Sequence, residues 1–172
     1  AAAELFSLQA HDGYGQYVIR ARAFNHIGPG QSKNFVSAAI ACRVAENELS
    51  GEEVVKIGNL EAKRDFTDVR DVVAAYRLLS LSGENGEVYN VCSGSSVSVQ
   101  EIAERIIGMA RHEMKLEVDE ELFRPVEISE LFGDSSKLTE TTQWAPVYPL
   151  EDTLRDLLEY WRAQVLIEPK AE

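Results

Sequence analysis

The chain has 172 residues, 45% hydrophobic and 27% charged, and a formal net charge of −12. That is enough chain for one real core, and the acidic balance excludes nucleic-acid binding through a broad basic surface while leaving room for a small anion held by a local cluster of cations. No apolar run reaches transmembrane length and the first residues lack a basic-then-apolar leader pattern, so no membrane partner is expected and a cytoplasmic location is predicted.

In chain order, the alanine-rich residues 1–10 read as the later turns of a helix, with His11-Asp12-Gly13 as its stop. Residues 17–24 read as a strand apolar enough for a sheet covered on both faces. Two glycines and a proline then predict an irregular loop over 25–31. Asn34 is a candidate cap for a helix over 35–48, which Ser50-Gly51 ends. A strand is predicted over 54–57, a loop through Lys63 and Arg64, and a helix over 72–81. Further strands are predicted over 87–92 and 115–118, and helices over 99–111, capped by Ser98 with Glu101 in its first turn, 137–142 and 151–165. Residues 123–133 read as irregular, and 168–172 as a frayed tail. The alternation of strand and helix indicates α/β or α+β architecture.

The stretch between residues 57 and 72 carries the most chemistry. Thr67 or Asp68 can cap the next helix, and Asp71 adds a carboxylate where the helix dipole is positive. Lys63 and Arg64 are adjacent cations on an excursion between strand and helix. They suit a diphosphate, since a guanidinium presents a fork matched to phosphate oxygens, or they form a solvated loop balanced by Glu61 and Asp65. Asn25 and His26 follow a strand end, where open α/β sheets bind ligands; alternatively they are a turn residue and a loop histidine. Cys42 and Cys92 read as buried small hydrophobes, and Trp144 and Trp161 as core rather than stacking platforms. His11, His26 and His112 have no metal-ligand spacing. The chain contains neither a G-x-G-x-x-G turn nor a Tyr-x-x-x-Lys.

Four stretches in order resemble one known family: RAFNHIGPGQ at 22–31, GNLEAKRDFTDVRDV at 58–72, VYNVCSG at 88–94 and LFRP at 122–125. The resemblance is to the extended short-chain dehydrogenase/reductase (NAD-dependent epimerase/dehydratase) family. Within it the GDP-mannose branch is nearest, namely GDP-6-deoxy-D-mannose reductases and GDP-mannose 4,6-dehydratases. It implies an α/β fold: the C-terminal part of an NAD(P)-binding Rossmann-type domain plus a small α+β substrate-binding subdomain. Residues 1–31 would hold the last helix and strand of the Rossmann-type part, and 32–167 mainly the nucleotide-sugar subdomain with returning segments. The opening Ala1-Ala2-Ala3-Glu4-Leu5 is similar to the helix continuation just after the family's catalytic lysine, so the catalytic tyrosine and lysine, and most of the NADP or NAD site, are expected upstream.

The resemblance implies substrate contacts at Asn25, Phe35, Val36, Gly58, Asn59, Leu60, Lys63, Arg64, Arg124 and Glu127, with His26 by the nicotinamide. Phe35 and Val36 serve equally well as core. Glu127 binds a ribose hydroxyl or pairs with Arg124, and Asp134, Ser136 and Lys137 read as capping residues. Asn25, Arg64 and Arg124 are expected around one cleft, with the two arginines gripping a diphosphate. The expected activity of the whole enzyme is reduction of GDP-4-keto-6-deoxy-D-mannose at C4. GDP-mannose 4,6-dehydratase, or another nucleotide-sugar epimerase or dehydratase, is the alternative, and a non-catalytic nucleotide-sugar-binding remnant is the alternative of another class. A homodimer through the helix at 1–10 is expected.

Overall fold

Helix α1 (Ala2–Tyr14) leads into β1 (Arg20–Ala23), β2 (Asn25–Ile27), α2 (Val36–Ser50) and β3 (Val54–Ile57). The computed structural model describes residues 2–123 and 128–167. After β3 come β4 (Lys63–Arg64), β5 (Phe66–Asp68), α3 (Val69–Ser82), β6 (Val88–Val91), β7 (Val97–Ser98), α4 (Val99–Ile107) and β8 (Lys115–Val118). A 3-10 turn (Glu120–Leu122), β9 (Glu130–Leu131), α5 (Ser136–Thr142) and α6 (Leu150–Ile167) complete the order.

Three parallel pairs, β1 with β6, β2 with β5 and β3 with β8, carry the α/β character. A fourth sheet has β4 at its centre, antiparallel to β7 and parallel to β9. The helices form because their apolar residues recur at helical spacing. In α4, Val99, Ile102, Ala103 and Ile106 are buried, and Ser98 and Glu101 close a reciprocal capping box at its start. In α6, Leu154, Leu157 and Leu158 are fully buried. These faces meet α2 and β3 in one core that includes Ile40, Val44, Val55 and Ile106, each buried side chain contributing about 1.5–3 kcal/mol. A second core joins α3, β6 and α5 through Val72, Leu79, Tyr89, Leu138 and Trp144. Cys42 and Cys92 are buried and form no disulfide.

Several boundaries differ from the sequence expectations, each for a local reason. Helix α1 runs through His11-Asp12-Gly13 to Tyr14 and ends before Gly15, whose φ is 63°. Helix α3 starts at Val69 rather than residue 72 because Asp68 is its cap. Helix α4 stops at Ile107, with Gly108 at its C-cap, rather than at 111. Asn34 does not cap α2; Phe35 holds the N-cap position and supplies no side-chain acceptor. Parts of 25–31, 63–64 and 123–133, read as irregular, are short strands held by cross-strand partners, too short to show an alternating pattern.

Candidate functional site

A cleft of about 730 Å³ opens beyond the C-terminal end of β1, where a ligand site in a parallel sheet is expected. Its wall is β2, the turn after it and the first residues of α2, closed by Phe66, Val69 and Leu131. Of the sequence-predicted residues, Asn25, His26, Phe35 and Val36 line it. Phe35 is 57% exposed, which makes it a rim residue rather than core. Gln31 ties the wall together: its amide donates to the His26 carbonyl at 2.7 Å, and its oxygen accepts from the Ser37 hydroxyl at 3.0 Å. The N-cap Phe35 supplies no side-chain acceptor to α2, and the positive end of the helix dipole lies at the cleft wall.

Gly58, Asn59, Leu60, Lys63 and Arg64 do not line this cleft. Gly58 is buried, and a side chain there would lie 2.4 Å from the Leu122 carbonyl oxygen, so only glycine lets residues 122–123 approach. Asn59 folds on itself, its oxygen accepting from the Glu61 amide at 2.9 Å. Leu60 packs on the main core. Arg64 stands one strand away from the cleft, since β4 pairs it with the cleft residue Leu131. Its guanidinium donates to the carbonyls of Lys63 at 2.7 Å and Ser129 at 3.4 Å. Among the described residues no carboxylate pairs with it, so neither Glu61 nor Asp65 neutralises the charge. Arg124 and Glu127 lie outside the described residues.

Sequence reasoning named Thr67 or Asp68 as a cap of the next helix, and Asp68 is the cap observed, but it missed that the carboxylates of this motif turn inward. Asp65 is 0% exposed and accepts from Ser93, Gly94 and Gly133. Asp71, read as a dipole partner, also accepts from the amides of Val147 and Tyr148 at 3.1 Å. Asp68 caps α3 and takes two more bonds from the Arg70 side chain and one from the Thr153 hydroxyl. Burial pushes the Asp68 carboxyl up, but the bonds from Arg70 and Thr153 outweigh it and hold the group below its ordinary value. The signal was there: acids at 65, 68 and 71, interleaved with Phe66, Val69 and Val72. A carboxylate framed by apolar neighbours at a strand-to-helix junction points inward as readily as outward.

The chain is similar to known proteins. Residues 1–157 match the family described as GDP-mannose 4,6 dehydratase. The chain is 37% identical to a GDP-6-deoxy-D-mannose reductase from Pseudomonas aeruginosa, covering 95% of this chain and 54% of that protein. It is 29% identical to GDP-mannose 4,6 dehydratase 1 from Arabidopsis thaliana, covering 92% of this chain and 44% of the relative. The structure of RMD from Pseudomonas aeruginosa complexed with NADPH superposes with a TM-score of 0.88 at 36% identity, covering 95% of this chain and 54% of that one. The chain thus spans about half the length of the relatives it matches.

Proposed function

The chain belongs to the GDP-mannose 4,6-dehydratase family, and from that premise we propose that it is the nucleotide-sugar-binding half of an NAD(P)-dependent GDP-sugar oxidoreductase. The proposed activity of the whole protein is reduction of GDP-4-keto-6-deoxy-D-mannose at C4. Residues 1–31 are assigned to the end of its Rossmann-type domain and 32–167 mainly to the substrate subdomain.

The observation that carries this reading is the cleft itself. Asn25 and the start of α2 at Phe35 and Val36 supply neutral and dipolar donors along the cleft wall, and Arg64, which no described carboxylate neutralises, stands one strand behind it opposite Leu131. A diphosphate suits that set, because backbone amides at a helix start and a guanidinium both favour anions. By family resemblance, Arg124 is the proposed second arginine, Gly58, Asn59 and Leu60 are assigned to the pocket wall around the base, Lys63 to the diphosphate beside Arg64, and Glu127 to a ribose hydroxyl.

For the cofactor, the fit is partial. His26 is exposed at the cleft, its ring nitrogen 3.2 Å from the Phe24 carbonyl, and it can border a nicotinamide. The chain has no G-x-G-x-x-G turn, the fingerprint that cradles dinucleotide phosphates, so those are assigned to upstream sequence. NADP or NAD, when bound, supplies the hydride. The residues of this chain bind and orient the sugar nucleotide and, with Phe35 and Leu131 at the rim, keep water from it.

Helix α1 has no buried residue and exposes Leu5 and Phe6, which supports a homodimer contact there. Light scattering of the protein as encoded checks this, with Phe6→Glu expected to halve the mass; a monomeric wild type refutes it. For the function itself, calorimetry should find GDP-mannose bound more tightly than UDP-glucose. Arg64→Ala should weaken it by about 1.5–3 kcal/mol, the range for hydrogen bonds to charged groups, and Asn25→Ala, on the sugar side, by about 0.5–1.5 kcal/mol. Equal affinity for both nucleotides, or no loss in either variant, contradicts the proposal.

A further inference from the structure

We infer that Asp65 is a positioning residue for the nucleotide-sugar site, whose buried carboxylate holds the strand bearing Arg64 in place against the strand bearing Asn25. The inference rests on the nucleotide-sugar reading above and adds to it a residue that touches no ligand.

Asp65 is the single residue between β4 and β5. On one side, β4 places Arg64 in a sheet with β9, opposite Leu131. On the other, β5 pairs with β2, placing Phe66 opposite Asn25. The angle between these two sheets therefore decides how far Arg64 stands from Asn25, and Asp65 is the joint between them.

The joint is tied on every side. The backbone amide of Asp65 donates to the Leu131 carbonyl at 2.9 Å. One carboxylate oxygen accepts from the Ser93 amide at 2.8 Å and the Ser93 hydroxyl at 2.7 Å. The other accepts from the Gly94 amide at 2.9 Å and the Gly133 amide at 3.3 Å. Four donors from two loops converge on this buried carboxylate, and moving either loop away breaks bonds that water cannot readily replace there, so such a shift is opposed. Gly133 passes the constraint on to the cleft: a side chain there would lie 2.6 Å from the ring of Phe24, the cleft residue directly before Asn25.

Asp71 is a chemically matched control. It lies in the same motif, is 2% exposed and also accepts from backbone amides. Its partners Val147 and Tyr148 border a smaller cavity of about 370 Å³, which shares Phe66 with the cleft, and line no part of the cleft themselves.

The test compares Asp65→Asn and Asp71→Asn in the protein as encoded, by melting and by calorimetric titration with GDP-mannose well below both melting points. Asparagine keeps the shape but turns an amide NH2 toward two N–H donors. Both variants should melt lower. Asp65→Asn should weaken GDP-mannose by about tenfold or more, while Asp71→Asn should stay within about twofold. Ser93→Ala removes one donor and is the milder variant should Asp65→Asn fail to fold; it should cost about threefold in affinity. Equal affinity losses for Asp65→Asn and Asp71→Asn, or a folded Ser93→Ala with wild-type affinity, overturn the positioning role alone. A wild-type protein that does not bind GDP-mannose overturns the nucleotide-sugar reading, and this inference with it.

Discussion

Replacing Asp68 by alanine should destabilise the protein by about 2–3 kcal/mol, and the structure divides that figure into three parts. The carboxylate caps α3 by accepting from the Arg70 amide at 2.7 Å, and losing such a cap costs about 1 kcal/mol. It also accepts from the Thr153 hydroxyl at 2.7 Å, linking α3 to α6. That hydroxyl has a second acceptor, the Pro149 carbonyl at 3.1 Å, so the loss is one charged hydrogen bond of about 1 kcal/mol and not an orphaned buried group. The Arg70 guanidinium is 37% exposed, keeps Asp156 at 2.8 Å and lies 3.8 Å over the Tyr148 ring. Solvent screening and these remaining partners reduce the loss of its pairing with Asp68 to about 0.5 kcal/mol. For a domain of this size the sum corresponds to a melting point lower by roughly 5–10 °C. Equilibrium urea denaturation of Asp68→Ala, Thr153→Val and the double variant measures it. The cycle should return a coupling of about 1 kcal/mol, and Asp68→Asn, which keeps a capping oxygen, should lose less than Asp68→Ala. A folded Asp68→Ala within about 0.5 kcal/mol of wild type, or additive single variants, refutes the reasoning.

Gly133→Ala should cost about 1–3 kcal/mol, because its new methyl group would sit 2.6 Å from Phe24 and 2.7 Å from the Cys92 sulfur; an unchanged urea midpoint contradicts that packing. Stability should also fall in acid. Burial raises the carboxyls of Asp68 and Glu48, but hydrogen bonds from Arg70 and from Arg162 prevail and leave both folded values below the ordinary ones. Their contribution is therefore complete above the unfolded values near about 4 and is lost as pH falls through the folded values below that. Urea midpoints measured from neutral pH downward should decline there, and less steeply in Asp68→Ala; identical slopes refute the assignment.

The legible parts of the fold were those written in long local patterns. The strands at Val54–Ile57 and Lys115–Val118 match their predicted limits, and the Ser98–Glu101 capping box marks its helix start. Gly51 ends α2 in the left-handed conformation that a glycine stop implies. Short strands were not legible, because β2, β4 and β9 hold two or three residues each and exist only through partners distant in sequence. The candidate site divides the same way. Asn25 and His26 were legible because they follow a strand end, Phe35 and Val36 only through the family resemblance, and all four line the cleft. Asp65 and Gln31 were missed because their work is to accept from and donate to segments that only the fold brings near. A charged residue in a loop gives no local sign of which way it turns.

A crystal structure of the protein as encoded with GDP-mannose tests the central claim most directly. The account predicts the diphosphate at the start of α2, within hydrogen-bonding reach of the Val36 or Ser37 amide and of the Arg64 guanidinium, with Asn25 on the sugar side. A nucleotide bound away from the cleft lined by Asn25, Phe35 and Val36, with Arg64 still turned to the Lys63 and Ser129 carbonyls, would contradict it.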